Sequence, residues 1–315
     1  MSANEICHVE MTSFHNILGS EGYPYEKDRY WLFTSKVCPF AHRTEIMRAL
    51  TGLTDHIGLT IAGAVQTEQG WDLDRRYVSA DSAANPVAGI NRLPDIYKLA
   101  AAGYIGRASV PVLFDTKTDT IVNNESSEII RQFDQVATQH FDHKTLYPED
   151  KKSLIDSLIN ELADELITPI YRAGFAKDQQ THHLYFEKVF SSLTALDKRL
   201  GETGPFIAGE QLTLADIHAY PHLSRFDAAY HSLYRLNKHF IRDYPNITDY
   251  LTRLGELPAF SDTLDVQAFK DGYFLAWNQP TEGHFTPVGP QVNLRSGVAL
   301  IGDLKSVNNY SVGVI

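Results

Sequence analysis

Strand-like stretches in this chain are confined to its first 124 residues. Tyr30 to Phe33 reads as a short buried strand, and His56 to Val65 ("HIGLTIAGAV") as a second. The run "ASVPVLFDTKTDTIVNN" reads as two more, joined by a turn at Lys117 to Asp119. From about residue 150 to Tyr273 these signals vanish. Apolar residues there recur at helical spacing, as in "KSLIDSLINELADELITPIYRAGF" and "HHLYFEKVFSSLTALDKRLG". A sheet must therefore be completed within the first half, and the second half must be all-helical. A chain of 315 residues is in any case long for one core. The polar, proline-bearing stretch Thr145 to Asp150 is a natural linker. The organisation expected is an N-terminal arm over 1–28, a sheet-bearing domain over 29–144, a helical domain over 150–288 and a C-terminal tail over 289–315.

Within the first domain Pro39 suits the first turn of a helix, where its missing N–H costs nothing. Ala41 to Leu50 continues that helix and Gly52 can end it. Residues 66–106 lack clear periodicity and read as an insertion. "ESSEIIRQFDQV" then forms a helix, with Asn124 as its expected N-cap. Strand, helix, strand, hairpin and helix in this order make a thioredoxin-like plan. In the second domain "LTLADIHAYPHLSRF" carries a capping box. Thr213 is the N-cap, Asp216 sits at N3, and Leu212 can staple onto Ile217.

The apolar fraction of 43% and charged fraction of 21% are those of an ordinary globular protein. A formal net charge of −11 argues against a nucleic-acid partner, which needs a basic face. There is no apolar run long enough to span a bilayer and no secretory pattern at the N-terminus. Two distant cysteines, Cys7 and Cys38, make no disulfide framework, so a reducing compartment, the cytoplasm, is expected.

Cys38 stands after a strand and at the mouth of a helix. The free N–H groups and positive dipole end there favour a thiolate, and Arg43 adds a positive charge one turn on. A lowered pKa is expected. Position 41 holds alanine, so an internal dithiol pair is excluded. A lone thiolate must instead form a mixed disulfide with a small thiol; the alternative is an inert buried cysteine. In "SVPVLFD", Pro111 cannot donate to a ladder. The thioredoxin-like plan puts it opposite the thiol with a cis bond before it, so that Val110 offers its N–H and C=O to a peptide-like ligand. In "NNESSEI", Glu125 and Ser126 open a helix. Glu125 suits a ligand ammonium and Ser126 a ligand carboxylate, although simple capping also explains them. Together the three segments point to a γ-glutamyl tripeptide.

These residues resemble a known family. "CPFAHRT", "SVPVLFD", "IVNNESSEIIR" and "LTLADIHAYPHLSRFDAAYH" are similar to the cytosolic glutathione transferases, and within them to the Xi class of glutathionyl-hydroquinone reductases. The resemblance covers roughly residues 29–290. It implies Cys38 as nucleophile and glutathione as co-substrate, with no metal. It implies Phe40, Trp71, Arg107, Val110, Pro111, Glu125 and Ser126 around glutathione. Tyr171 and Tyr230 would be the acceptor-side and proton-donating tyrosines, with Tyr273 a further pocket residue, and the protein a homodimer. Phe40 stands where the family has tryptophan. "VQAFKDGYFLAW" takes the place of the family's His-Ile-Lys-Arg-His-Tyr-Tyr segment, which bears on the acceptor pocket more than on the glutathione side.

The activity implied is reduction of an aromatic S-glutathionyl conjugate to a hydroquinone through a Cys38–glutathione mixed disulfide. Two alternatives are an omega-like thioltransferase or dehydroascorbate reductase, and a non-catalytic glutathione-fold binding module. His218 and His222 have a metal-pair spacing, but with no third ligand they read as core or surface residues.

Overall fold

The computed structural model describes residues 14–276 and 285–290. Its first half is built on β1 (Tyr30–Thr34), β2 (Gly58–Ile61), β3 (Val112–Asp115) and β4 (Thr120–Asn123). They form one sheet in the order β2-β1-β3-β4. β1 and β2 are parallel, with Leu32 beside Leu59. β3 is antiparallel to both β1 and β4, with Leu32 opposite Leu113. The strands are short and almost wholly buried, as in a sheet flanked by helices. The parallel β1–β2 pair needs a crossover, which α1 (Pro39–Leu50) supplies. α2 (Leu93–Ala100) and α3 (Ser126–His140) complete a thioredoxin-like domain.

Two expectations need correction. Residues 66–106 are not simply an insertion, because α2 of the fold lies within them. It has only two turns and no side-chain cap, and the small-residue run after it masks its pattern. Leu93, Ile96 and Tyr97 are nevertheless buried at helical spacing, with Pro94 in the first turn. The N-cap of α3 is Glu125 rather than Asn124. The Asn124 side chain is taken elsewhere: it accepts from the Phe14 N–H at 3.0 Å and donates to the Tyr97 hydroxyl at 3.2 Å. Residues 14–16 run along β4, with the Asn16 N–H donating to the Val122 carbonyl at 2.9 Å, and Leu18 beyond them is buried.

The second half is all-helical. α4 (Lys152–Glu161) runs into a π-helical segment, Leu162–Ile167, and then α5 (Thr168–Gly174). α6 (Gln179–Thr203) follows, capped by Asp178. α7 (Leu214–Arg225) starts at the expected capping box of Thr213 and Asp216. Every residue of α7 is buried, and α1 packs against it, so this helix joins the two halves. α7 passes into a second π-helical segment, Phe226–Tyr230. α8 (Pro245–Gly255), α9 (Pro258–Ser261) and α10 (Val266–Leu275) complete the fold. Of the expected tail, residues 289 and 290 are described: the Gly289 carbonyl accepts from the Lys270 ammonium at 3.3 Å. The rest of the tail and residues 1–13 of the arm lie outside the described residues. Among the described residues no helix is long and apolar enough to cross a membrane.

Candidate active site

The site grows from the end of β1. Cys38 is the N-cap of α1, with an extended backbone and Pro39 in the first helical turn. Its sulfur accepts from the Ala41 N–H at 3.5 Å. Opposite it, the Val110–Pro111 bond is cis. The Cys38 thiol donates to the Val110 carbonyl at 3.6 Å, and the residue stays partly exposed. The first two sequence signals thus converge on one sulfur.

The third signal lies at the start of α3. The Glu125 carboxylate accepts from the Ser127 N–H at 3.2 Å and hydroxyl at 3.1 Å. Ser126 is buried, and its hydroxyl accepts from Arg43 at 3.4 Å. Arg43 therefore ties the start of α1 to the start of α3. Its other donors reach the His218 carbonyl and His222 Nε2, both at 3.3 Å, and it lies 4.8 Å above the Phe40 ring. Burial lowers the Arg43 guanidinium to about 10, opposed first by Glu125, so it keeps its charge at neutral pH. His218 and His222, for which the sequence left core or surface open, lie in the core; burial, and next the Arg43 charge, hold both well below the usual imidazole range. Among the described residues no group of three or more His, Cys, Asp or Glu side chains is placed to hold a metal.

The helical half faces this thiol with phenols. The π-helical segment after α7 delivers Tyr230, α5 delivers Tyr171 and α10 delivers Tyr273. Tyr230 is the middle of a hydroxyl line, 3.0 Å from Tyr273 and 3.4 Å from Tyr171. The Phe40 ring stacks on Tyr171 with centroids 6.2 Å apart and meets the edge of His222 at 5.2 Å. Burial pushes all three phenols up from their ordinary value, so they hold their protons at neutral pH.

Models of the glutathione S-transferase N-terminal and C-terminal domains match residues 37–136 and 173–253. The glutathionyl-hydroquinone reductase of Escherichia coli is 35% identical over 280 residues, which is 88% of this chain and 84% of that protein. This chain belongs to the glutathione S-transferase family. The transferase is also 35% identical over 295 residues to the glutathione S-transferase omega-like 2 of Schizosaccharomyces pombe, covering 90% of this chain and 93% of the relative. The crystal structure of the Xi glutathione S-transferase from Phanerochaete chrysosporium matches it with a TM-score of 0.84 at 33% identity, over 90% of this chain and 97% of the other. The transferase is thus an enzyme of the Xi class.

The remaining predicted residues are placed as follows. Arg107 is exposed in the loop before β3, and its charge acts on the Cys38 sulfur. Trp71 is buried in the loop before α2, where its carbonyl accepts from the Leu93 N–H at 3.0 Å. The expected lowering of the Cys38 pKa is not what the transferase shows. Burial pushes the thiol up, against the Ala41 and Phe40 N–H groups and the charges of Arg225 and Arg107. The bond to the Val110 carbonyl acts in the same sense as burial, since only the neutral thiol can donate it.

Two residues near this site carried no role in the sequence reading. Tyr234 stacks on Tyr230 with centroids 5.4 Å apart, and the four-residue spacing of these tyrosines was a usable signal. Arg225 closes α7 and reaches the segment just before Cys38. No local sequence signal marked it, because its buried position in α7 is set by tertiary packing.

Proposed function

We propose that the transferase reduces aromatic S-glutathionyl conjugates to hydroquinones, with Cys38 as nucleophile. Glutathione lies along the starts of α1 and α3. Its cysteinyl main chain pairs with Val110, its γ-glutamyl ammonium with Glu125, its carboxylates with Ser126 and Arg107, and Trp71, Phe40 and Pro111 line the pocket. When the ligand N–H takes the Val110 carbonyl, the Cys38 thiol loses its acceptor and ionises more readily. The thiolate attacks the conjugate sulfur, forming a disulfide and breaking the bond from that sulfur to the ring. The electron pair of that bond leaves with the aryl carbon, which takes a proton from Tyr171 or Tyr230. A second glutathione, as thiolate, attacks the mixed disulfide and departs as glutathione disulfide, regenerating the Cys38 thiolate. Over the cycle one glutathione thiol and the conjugate's thioether sulfur are oxidised to the disulfide, and one aryl carbon is reduced. A reducing compartment that supplies glutathione suits this cycle.

The observation that carries the reading is the lone thiol 3.6 Å from the Val110 carbonyl, with the Tyr171–Tyr230–Tyr273 hydroxyl line in the facing domain. The E. coli relative's name supports it. The omega-like relative at equal identity supports a second reading, a thioltransferase acting on mixed disulfides. The test is intact mass after incubation with a glutathionyl-menadione conjugate and no free glutathione. One glutathionyl adduct, absent in Cys38→Ser, with menadiol released, is the expected result. An adduct with glutathione disulfide but none with the conjugate favours the second reading. Full turnover in Cys38→Ser would refute the thiolate mechanism.

A further inference from the structure

Arg225 is 1% exposed and heads the largest fully buried side chains among the described residues. Its donors form a fork aimed at the backbone just before Cys38. One terminal nitrogen donates to the Lys36 carbonyl at 2.7 Å, and Nε donates to the Val37 carbonyl at 3.3 Å. The other terminal nitrogen donates to the Pro221 carbonyl at 2.8 Å and to His42 Nδ1 at 3.0 Å. The guanidinium sits 5.0 Å above the Phe269 ring. Among the described residues it has no carboxylate within ion-pair distance.

The His42 bond fixes that ring's tautomer. Burial, and next the Arg225 charge, hold His42 well below the usual imidazole range, so the ring is neutral. Nδ1 accepts from Arg225, so the proton is on Nε2, which donates to the Thr263 hydroxyl at 2.9 Å. That hydroxyl donates onward to the Ala259 carbonyl at 2.7 Å. Lys36 reaches the same turn, its ammonium donating to the Thr263 carbonyl at 2.8 Å while pairing with Glu45 at 2.7 Å. The segment ahead of the thiol is therefore held by the helical domain on several sides.

A buried cation without a counter-ion is costly, and hydrogen bonds to neutral carbonyls recover only part of that cost. The reaction creates an anion one residue beyond the carbonyls that Arg225 grips. We propose that Arg225 is a positioning residue: its fork fixes the Lys36–Val37 backbone that carries Cys38, and its unpaired charge favours the anion at that sulfur. This rests on Cys38 being the nucleophile, whichever acceptor it serves. Cys38 is also faced by Arg43 from α1, by Arg107 from the loop before β3, and by Tyr230. All of these remain in the variants below.

The test uses a Cys7→Ser background, in which Cys38 is the single thiol. The rate of alkylation by iodoacetamide is followed against pH for the parent chain, Arg225→Met and Arg225→Lys, beside turnover of the glutathionyl-menadione conjugate and the Kd for glutathione. Arg225→Met removes the charge at similar length, and its alkylation midpoint moves up by about one pH unit, a roughly tenfold loss of thiolate at neutral pH. Arg225→Lys keeps the charge but not the fork, so its midpoint stays while kcat falls about tenfold at unchanged Kd. A folded Arg225→Met with the parent's midpoint overturns the electrostatic role. Parent-like kcat in Arg225→Lys overturns the positioning role, and that variant decides if Arg225→Met does not fold. Alkylation does not depend on the acceptor, so a parent chain inactive on the conjugate would count against the proposed function and leave the Arg225→Met comparison intact.

Discussion

Replacing Gly272 by alanine tests how closely the helical domain grips the thiol. In an open helix this change stabilises by about 1 kcal/mol, because glycine is the freer residue in the unfolded chain. Gly272 is in α10, and a β-carbon there would lie 2.5 Å from the Ala64 carbonyl oxygen and 2.5 Å from the Val37 β-carbon. Ordinary carbon contacts are about 3.5–4.0 Å, so something must move by roughly 1 Å. Neither neighbour is the free end of a flexible side chain: one is backbone and the other the β-carbon of a branched residue. Overpacking of this kind costs about 1–3 kcal/mol, which offsets the helix gain and exceeds it in most of that range. Relief of the clash displaces Ala64, Val37, which is next to Cys38, or α10 itself with Tyr273, which follows Gly272 and bonds to Tyr230. A misplacement near 1 Å at a reacting centre can cost about a hundredfold in rate. The expected result is a urea midpoint below the parent's and a kcat ten- to a hundredfold lower. A variant with a higher midpoint and parental kcat would refute the idea that α10 sets the position of this loop.

Tyr230→Phe removes the middle hydroxyl of the line joining Tyr171 and Tyr273. Stability should fall by about 1 kcal/mol, and conjugate turnover by ten- to a hundredfold with little change in the alkylation rate of Cys38; unchanged turnover would remove Tyr230 from the proton path. The Asp227 carboxyl is raised to about 6, mainly by burial, and accepts from the Ile241 N–H at 2.7 Å. Its folded value lies above the unfolded one, so the folded state binds more protons between pH 4 and 6, and stability is lost as pH rises through that window. Asp227→Asn can keep the Ile241 bond through its carbonyl oxygen, and should flatten that part of the stability–pH curve and gain up to about 3 kcal/mol at pH 7. A curve parallel to the parent's in urea melts at pH 4, 6 and 7 would show that Asp227 ionises freely in the folded chain.

The thioredoxin-like domain was legible because its strands are short runs of aromatic, β-branched and other apolar residues, and because the N-cap and proline of α1 sit in adjacent positions. The capping box of α7 was legible for the same reason: it is written within four residues. α2 was harder to read. Its two turns carry an apolar pattern too short to stand out, and packing of Leu93, Ile96 and Tyr97 stabilises it where local propensity does not. The Cys38 environment was half legible. The helix start could be read locally, but burial and the Val110 carbonyl, 72 residues away in the chain, act against the dipole.

By itself the sequence determined most of the strands and helices, that Cys38 has no partner cysteine at position 41, and which segments carry glutathione-transferase motifs. Those properties depend on residues within a few positions of one another. The tertiary structure alone decided that Tyr171, Tyr230 and Tyr273 share one hydroxyl line, that Arg225 grips the backbone before Cys38, and that Gly272 lets α10 approach it. These contacts join residues up to 235 positions apart, Val37 and Gly272 among them. Packing of α1 against α7 and α9, and of α3 against α7, holds the two halves together.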